Sequence, residues 1–156
     1  MARILITALA IAAAATMPAV ASQSPLQIAS KVLVEQRGLD KTGAVSTTLA
    51  PASRAVPGDR VVFVVAYRNT GAQVLSDIVL NNPVPAAIIY RGPGAGSATP
   101  DLSVDGKTYG QLAQLRVPTS DGSRAATQND VRHVRWRIAN LPAGGQGQFA
   151  FKAVLK

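Results

Sequence analysis

Residues 61–67 read VVFVVAY, and this stretch decides the fold class. Its odd-numbered and even-numbered positions both carry apolar side chains, so both faces of an extended chain would be apolar. The run is short and rich in β-branched residues, Pro57-Gly58 precedes it, and Asn69-Thr70-Gly71 follows it as a turn. Such a segment is typical of a central strand covered on both faces.

Further strand patterns lie on both sides of this segment. They are predicted at residues 26–37, 74–80, 87–90, 131–138 and about 148–155. In the last of these, Phe149, Phe151, Ala153 and Leu155 share one face. Asp105-Gly106 is the centre of a predicted hairpin, and residues 112–117 suit either a strand or a loop over the core. We find no amphipathic helix of ordinary length after residue 21.

Two stretches are predicted to be irregular. Residues 38–56 are small and polar, which indicates a long connection, and residues 120–130 indicate an exposed loop. Seven or eight short strands separated by turn signals predict an all-β protein with an antiparallel β-sandwich.

Residues 1–21 have the organisation of a secretory signal peptide. A basic start with Arg3 precedes an apolar run at residues 4–15, and Ala19-Val20-Ala21 provides a small-residue cleavage site. The run is shorter than the roughly 20 apolar residues of a membrane span. A buried core helix and an uncleaved anchor are the alternatives. We expect cleavage before Ser22, export to the periplasm, cell surface or medium, and no transmembrane span after cleavage.

The expected organisation therefore has three parts. Residues 1–21 form the signal peptide, and residues 22–55 form an N-terminal strand and a long connection. Residues 56–156 form the main domain. The 135 residues that remain after cleavage are enough to fold without a metal or a crosslink.

Composition argues against catalysis. The 156-residue chain has no Cys and one His, which excludes disulfides, thiol chemistry and Cys-based metal sites. A serine triad would need His133, and no Gly-x-Ser-x-Gly motif is present. The carboxylate pairs Asp101/Asp105 and Asp121/Asp130 lie in predicted loops, and a calcium site at the first pair is a minor alternative. We expect no enzyme activity and no cofactor.

Basic residues outnumber acidic residues by 16 to 8, which suits an anionic partner. A candidate basic face on one strand consists of Arg132, His133, Arg135 and Arg137, and Arg54, Arg60 and Arg68 would extend it. An acidic polysaccharide is one expected partner, whereas an exported protein is not expected to bind nucleic acid by design. The alternative is a solvated edge strand whose charges prevent pairing.

An ordered set of turn and core residues carries a family resemblance. The set is Pro57, Gly58, Asp59, Tyr67, Asn69, Gly71, Asn82, Pro85, Trp136 and Gly144. In this order it resembles the conserved repeat domain of bacterial and archaeal surface proteins, the domain-of-unknown-function family numbered eleven. The resemblance covers residues 56–155. Asn82 stands where that family usually has Asp, and the motif set occurs once.

The resemblance implies an immunoglobulin-like sandwich in a surface or extracellular protein without catalysis. Pro57-Gly58-Asp59 is then a turn before a strand, and Asn69 begins an asparagine turn. Trp136 is expected in the core between the sheets, with stacking on carbohydrate as the alternative.

Two functions follow. In the first, the protein is a structural or assembly subunit at the bacterial surface, and its partners are copies of itself or other surface proteins. The apolar stripe Leu26, Ile28, Val32 and Val34 then pairs either within its own sandwich or with a neighbour's sheet. In the second, the protein is a periplasmic or secreted module that binds an anionic glycan through the basic face.

Overall fold

A computed structural model describes residues 24–52 and 55–156, and in these residues the chain is all-β. Every strand pair is antiparallel. Short 3₁₀ turns occur at Leu112–Gln114 and Gln128–Asp130. The strands are β1 Leu26–Leu39, β2 Val45–Pro51, β3 Arg60–Asn69, β4 Leu75–Pro83, β5 Ile88–Pro93, β6 Asp101–Ser103, β7 Arg116–Thr119, β8 Gly122–Ala125, β9 His133–Leu141 and β10 Gln146–Leu155. The predicted signal peptide lies outside the described residues.

The strands form three sheets. One sheet has five strands in the order β2-β1-β3-β10-β5, and another has three in the order β4-β9-β6. The third is the β7–β8 hairpin. β3 pairs with β1 on one side and with β10 on the other, over nine positions each. The central position predicted for residues 61–67 is therefore confirmed.

The main core lies between the five-stranded and three-stranded sheets. Val61 and Phe151 contribute from the first sheet, and Val134 and Trp136 contribute from the second. Val62 and Val64 point to the outer face of the first sheet, yet each is no more than 6% exposed. The register places Leu33, Lys31 and Lys152 beside them. Long side chains on neighbouring strands cover such positions with their aliphatic parts.

Aromatic rings fill the centre of this core. Phe63 stacks on Phe151 with ring centroids 4.7 Å apart, and Trp136 stacks on Phe149 at 5.1 Å. Tyr90 packs against Phe151 at 6.0 Å. The alternation predicted for the last strand is confirmed, because Phe151 and Ala153 are buried in the core.

The prediction of a long connection at residues 38–56 is wrong, because β2 lies within it and forms a hairpin with β1. The Asp40 carboxylate makes the turn, accepting hydrogen bonds from the backbone N–H groups of Thr42 and Ala44 at 2.8 and 3.0 Å. Residues 45–51 have the β-branched composition of a strand. Most of the hairpin is exposed, however, so these residues have no buried apolar face. Without such a face β2 has no alternating hydrophobic pattern, and the sequence did not predict this strand.

Two further predictions need correction. The hairpin centred on Asp105-Gly106 is instead a wider loop, closed by two hydrogen bonds of 2.9 and 3.0 Å between Leu102 and Gly110. Within the predicted loop at residues 120–130, β8 pairs with β7 and is fully exposed. This hairpin buries little apolar surface, so its strands leave no alternating pattern.

No helix within residues 24–52 and 55–156 has the length and hydropathy needed to cross a membrane.

Replacing Phe151 with Ala tests the aromatic core. Phe151 is completely buried, so the Phe151→Ala variant should lose about 3–5 kcal/mol of unfolding free energy in chemical denaturation. Val79→Ala, at a position that is 47% exposed, is the control and should change stability by less than about 0.5 kcal/mol. Equal effects of the two substitutions would contradict this account of the core.

Candidate functional site

The Pro57-Gly58-Asp59 turn joins the start of β3 to the end of β10. Gly58 has φ of 95°, a conformation that favours glycine. The Asp59 carboxylate accepts a hydrogen bond from the Val56 N–H at 2.9 Å. Leu155 donates to the Asp59 carbonyl and accepts from the Gly58 N–H, at 3.0 and 2.9 Å. This part of the signature closes the β3–β10 ladder at one end.

Asn69 closes the same ladder at the other end. Its side chain is completely buried, and its amide nitrogen lies 2.7–3.1 Å from the carbonyl oxygens of Gln73, Leu141 and Pro142. Its side-chain oxygen accepts a hydrogen bond from the Gly71 N–H at 2.9 Å, as in an asparagine turn. The Gly144 N–H, in a residue with φ of 72°, donates to the Asn69 carbonyl at 3.0 Å. Every polar group of this buried amide therefore has a partner.

Trp136 and Tyr67 lie in the core and Pro85 lies in a turn, whereas Asn82 lies within β4 opposite Val134 and not in the predicted turn. Trp136 is 3% exposed, and its indole N–H donates to the Ala98 carbonyl at 2.9 Å. With Phe149 against one face, this indole is not free to stack on a sugar. The Tyr67 ring packs on Phe149 at 5.2 Å. Asn82 donates to the Pro83 carbonyl, and the exposed Pro85 accepts from Ile88 in the turn before β5.

The candidate basic face lies on β9. His133, Arg135 and Arg137 share the outer face of this strand, and Arg132 precedes it. β9 is the middle strand of its sheet, with β4 on one side and β6 on the other. Because β6 pairs with residues 133–135, the alternative of an edge strand protected by its charges is wrong for this part of β9. The sequence did not reveal this because β6 has only three residues.

Arg135 is held within the fold. Its guanidinium lies 3.3 Å from the Asp101 carboxylate and 3.8 Å from the centre of the Tyr109 ring. The Tyr109 hydroxyl donates to the Asn81 side chain at 3.1 Å. This Arg–Tyr stack holds the loop at residues 104–110 against the outer face of the sheet. The predicted hairpin did not indicate this role of Tyr109.

The other members of the basic face differ in accessibility. The Arg132 guanidinium is exposed and donates to the Asn129 carbonyl at 2.9 Å. His133 is half-buried against Gly106, where an added Cβ would approach its ring to 3.0 Å. Arg137 is exposed. Two of the four residues are therefore exposed, and the other two, His133 and Arg135, are partly buried.

Arg60 and Arg68 do not extend this face. They have the parity of Val62 and Val64, so they point outward from the five-stranded sheet, whereas β9 points its arginines outward from the other sheet. These two surfaces lie on opposite sides of the core. Arg54 lies outside the described residues.

Three of the four candidate carboxylates make local contacts, and the fourth, Asp121, is exposed. Asp105 accepts hydrogen bonds from the backbone N–H groups of Lys107 and Thr108, both at 2.8 Å, and these lower its pKa to about 2. Asp130 accepts two hydrogen bonds of 2.7 Å from Arg124, which hold its pKa well below the usual range. Asp101 is paired with Arg135. Within the part of the chain that the structure describes, no group of three or more His, Asp or Glu residues could hold a metal ion.

A polar depression of about 700 Å³ lies on the five-stranded sheet. Small residues of neighbouring strands, Ala29 and Ala66, form its floor. The side chains at its rim are polar and exposed, namely Gln27, Arg68, Gln146 and Gln148. No sequence motif indicated this site, because the strands that form it are far apart in the chain.

Comparison of the chain with protein-family models, curated proteins and solved structures found no match. The resemblance to the surface-protein repeat domain therefore stays a prediction from the order of the motifs.

The Asp105 carboxylate should make stability depend on acid pH. Its pKa is lower in the folded protein than the ordinary value of 3.8, so its ionised form favours folding. This contribution is complete above the ordinary value and is lost as the pH falls toward about 2. Asp105→Asn should therefore be less stable than the parent protein at pH 6, and the difference should shrink toward pH 2.

Denaturant unfolding at a series of pH values measures this difference. Asp121→Asn, which removes an exposed carboxylate in the β7–β8 turn, is the matched control. A difference between Asp105→Asn and the parent protein that stays constant from pH 6 to pH 2 would contradict the assigned role.

Proposed function

We propose that this is a non-catalytic, exported protein with a structural or assembly role at the bacterial cell surface or in the envelope. The observation that carries the proposal is the β1–β2 hairpin. Residues 26–34 of β1 pair with β3, whereas residues 35–39 pair only with β2. The hairpin therefore extends beyond the rest of the five-stranded sheet and presents its own surface.

That surface is unusually apolar for an exposed hairpin. Leu39, Val45 and Leu49 are 72%, 75% and 52% exposed, and they lie on one face because Leu39 is opposite Val45 in the register. Ile28, on the other face, is 53% exposed. Grouped apolar side chains of this kind mark surfaces that contact another protein.

The proposed fold is immunoglobulin-like. Its support is the packing of two antiparallel sheets around Trp136, which lies on the middle strand of the smaller sheet. The proposal of export rests on the signal-peptide pattern of residues 1–21. A core closed by aromatic stacking needs no disulfide, so a cysteine-free chain is compatible with an extracellular location.

The N-terminal segment pairs with its own domain in this structure. Nine residue pairs join β1 to β3, and donating β1 to a neighbour would break all of them. We therefore propose that the hairpin stays in its own sheet and makes contacts there, with copies of the same chain or with other surface proteins.

Self-association is the direct test of the assembly role. The average mass from light scattering should increase with concentration, and Leu39→Ser should reduce the increase without lowering the melting temperature. Val74→Ser is the control, because Val74 is 57% exposed but lies just before β4. A strict monomer at every concentration would contradict association with copies of itself.

We propose glycan binding as the second candidate, because the polar depression combines Arg68 with three glutamine side chains. Amide and guanidinium groups can bind the hydroxyl and carboxylate groups of an acidic sugar. In this second candidate the sugar binds the five-stranded sheet and not the β9 face, where Arg135 is already paired with Asp101.

Retention on an acidic polysaccharide column tests this second candidate. Arg68→Glu should abolish salt-dependent retention, because it reverses the charge at the rim of the depression. Arg116→Glu makes the same change at an exposed position on β7 and should have a smaller effect. Equal losses in the two variants would indicate attraction by net charge alone.

A further inference from the structure

Among residues 24–52 and 55–156, the backbone groups along the outer edge of β2 have no hydrogen-bond partner. The Asp40 N–H donates to the Ala44 carbonyl at 2.8 Å, and the same register continues along the hairpin. Because hydrogen-bonded positions alternate in an antiparallel pair, Ser46 and Thr48 direct their backbone groups toward β1. The backbone N–H and C=O groups of Val45, Thr47 and Leu49 therefore point away from the sheet.

This edge lacks the usual protection against pairing. Residues 45–51 contain no charged side chain, and their only proline is Pro51 at the end. By contrast, the edge strand β5 contains Arg91 and an irregular register opposite Lys152/Ala153, and the edge strand β4 contains Asp77 with φ of 52°. Charges, bulges and distortions are the features that keep exposed edges from pairing.

We infer that β2 binds the β2 strand of a second copy of this chain, antiparallel, around a two-fold axis at Thr47. This inference deepens the proposed assembly role and rests on it. In this register Thr47 lies opposite itself, and Val45 lies opposite Leu49 of the partner subunit. All three residues have outward-pointing N–H and C=O groups, so the two strands form six backbone hydrogen bonds.

A second copy fits this edge better than an unrelated strand because the edge is self-complementary. The order Val45, Thr47, Leu49 is apolar, polar, apolar in both directions. The two-fold axis also brings together two sets of exposed side chains on one face, each consisting of Leu39, Val45 and Leu49. Val45 and Leu49 of each copy then contact each other across the axis, which covers part of the apolar surface that the single chain leaves exposed.

Charge does not oppose this contact, although the chain has a formal net charge of +8. The basic residue opposite Thr47 in the hairpin is Arg37. In the paired sheet Arg37 and its copy are three strand spacings apart, about 14 Å. This exceeds the screening length of about 8 Å at physiological salt. Two positively charged copies therefore meet along an uncharged strand.

A single introduced cysteine tests the position of the axis, since the chain contains none of its own. Paired residues in hydrogen-bonded positions have Cα atoms about 5.5 Å apart, within the range of a disulfide. Thr47→Cys in the full chain should give an intermolecular disulfide dimer under mild oxidation. Ser76→Cys, on the exposed edge strand β4, is the control and should give only the crosslinking of random collisions.

A charge placed on the edge tests the energetics of the contact. Leu49→Lys should weaken self-association at least about tenfold, because it places a charge on the proposed contact. Val79→Lys adds the same charge at an exposed position on β4 and should leave self-association unchanged. Circular dichroism and the melting temperature verify that both variants are folded.

The outcomes separate this inference from the proposed role. Self-association that survives Leu49→Lys, with no excess crosslinking at position 47, would overturn the β2 contact while leaving the assembly role standing. A parent protein that stays monomeric at every concentration, with no crosslink at position 47, would overturn both the β2 contact and the association of copies of this chain.

Discussion

The aromatic contacts between the two main sheets are the interaction on which the rest of the structure depends. The chain has only seven aromatic residues, and six of them contact one another in the core. Trp136 from the smaller sheet stacks on Phe149 of the larger one, and the rings are within 3° of parallel. Without cysteine, no covalent link joins the sheets, so their packing depends on this buried surface. The seventh aromatic residue, Tyr109, contacts Arg135 and holds the loop at residues 104–110 against the outer face of the smaller sheet.

The β3–β10 ladder is closed at both ends, and it positions the other strands of the five-stranded sheet. The turn at Gly58 closes one end, and the buried Asn69 amide closes the other by holding three carbonyl groups. β1 pairs with the side of β3 that β10 leaves free, and β2 pairs with β1. The exposed hairpin, on which the proposed function depends, is the part of β1 and β2 that extends beyond this pairing with β3.

Most of the charged residues that the sequence suggests as binding or catalytic groups make local structural contacts. Arg135 contacts Asp101 and Tyr109, Asp130 contacts Arg124, and Asp105 binds backbone N–H groups. Each of these contacts pairs a charged group within its own fold, although the buried Arg135 Nε has no hydrogen-bond partner among the described residues. The features left for interaction are an uncharged sheet edge, grouped apolar side chains and a polar depression, none of which has a sequence motif.

The all-β class, the central strand, the alternation of β9 and β10, and the turns at Gly58 and Asn69 could all be predicted from the order of the residues. These features have local causes, namely β-branched residues, period-two burial and turn residues. The order of the residues does not show that β2 is a strand, that β9 lies in the middle of its sheet, or that Arg68 and Arg137 face opposite ways. Those properties depend on which strands meet. Strand pairing joins residues far apart in the chain, and a pattern of neighbouring residues does not record it.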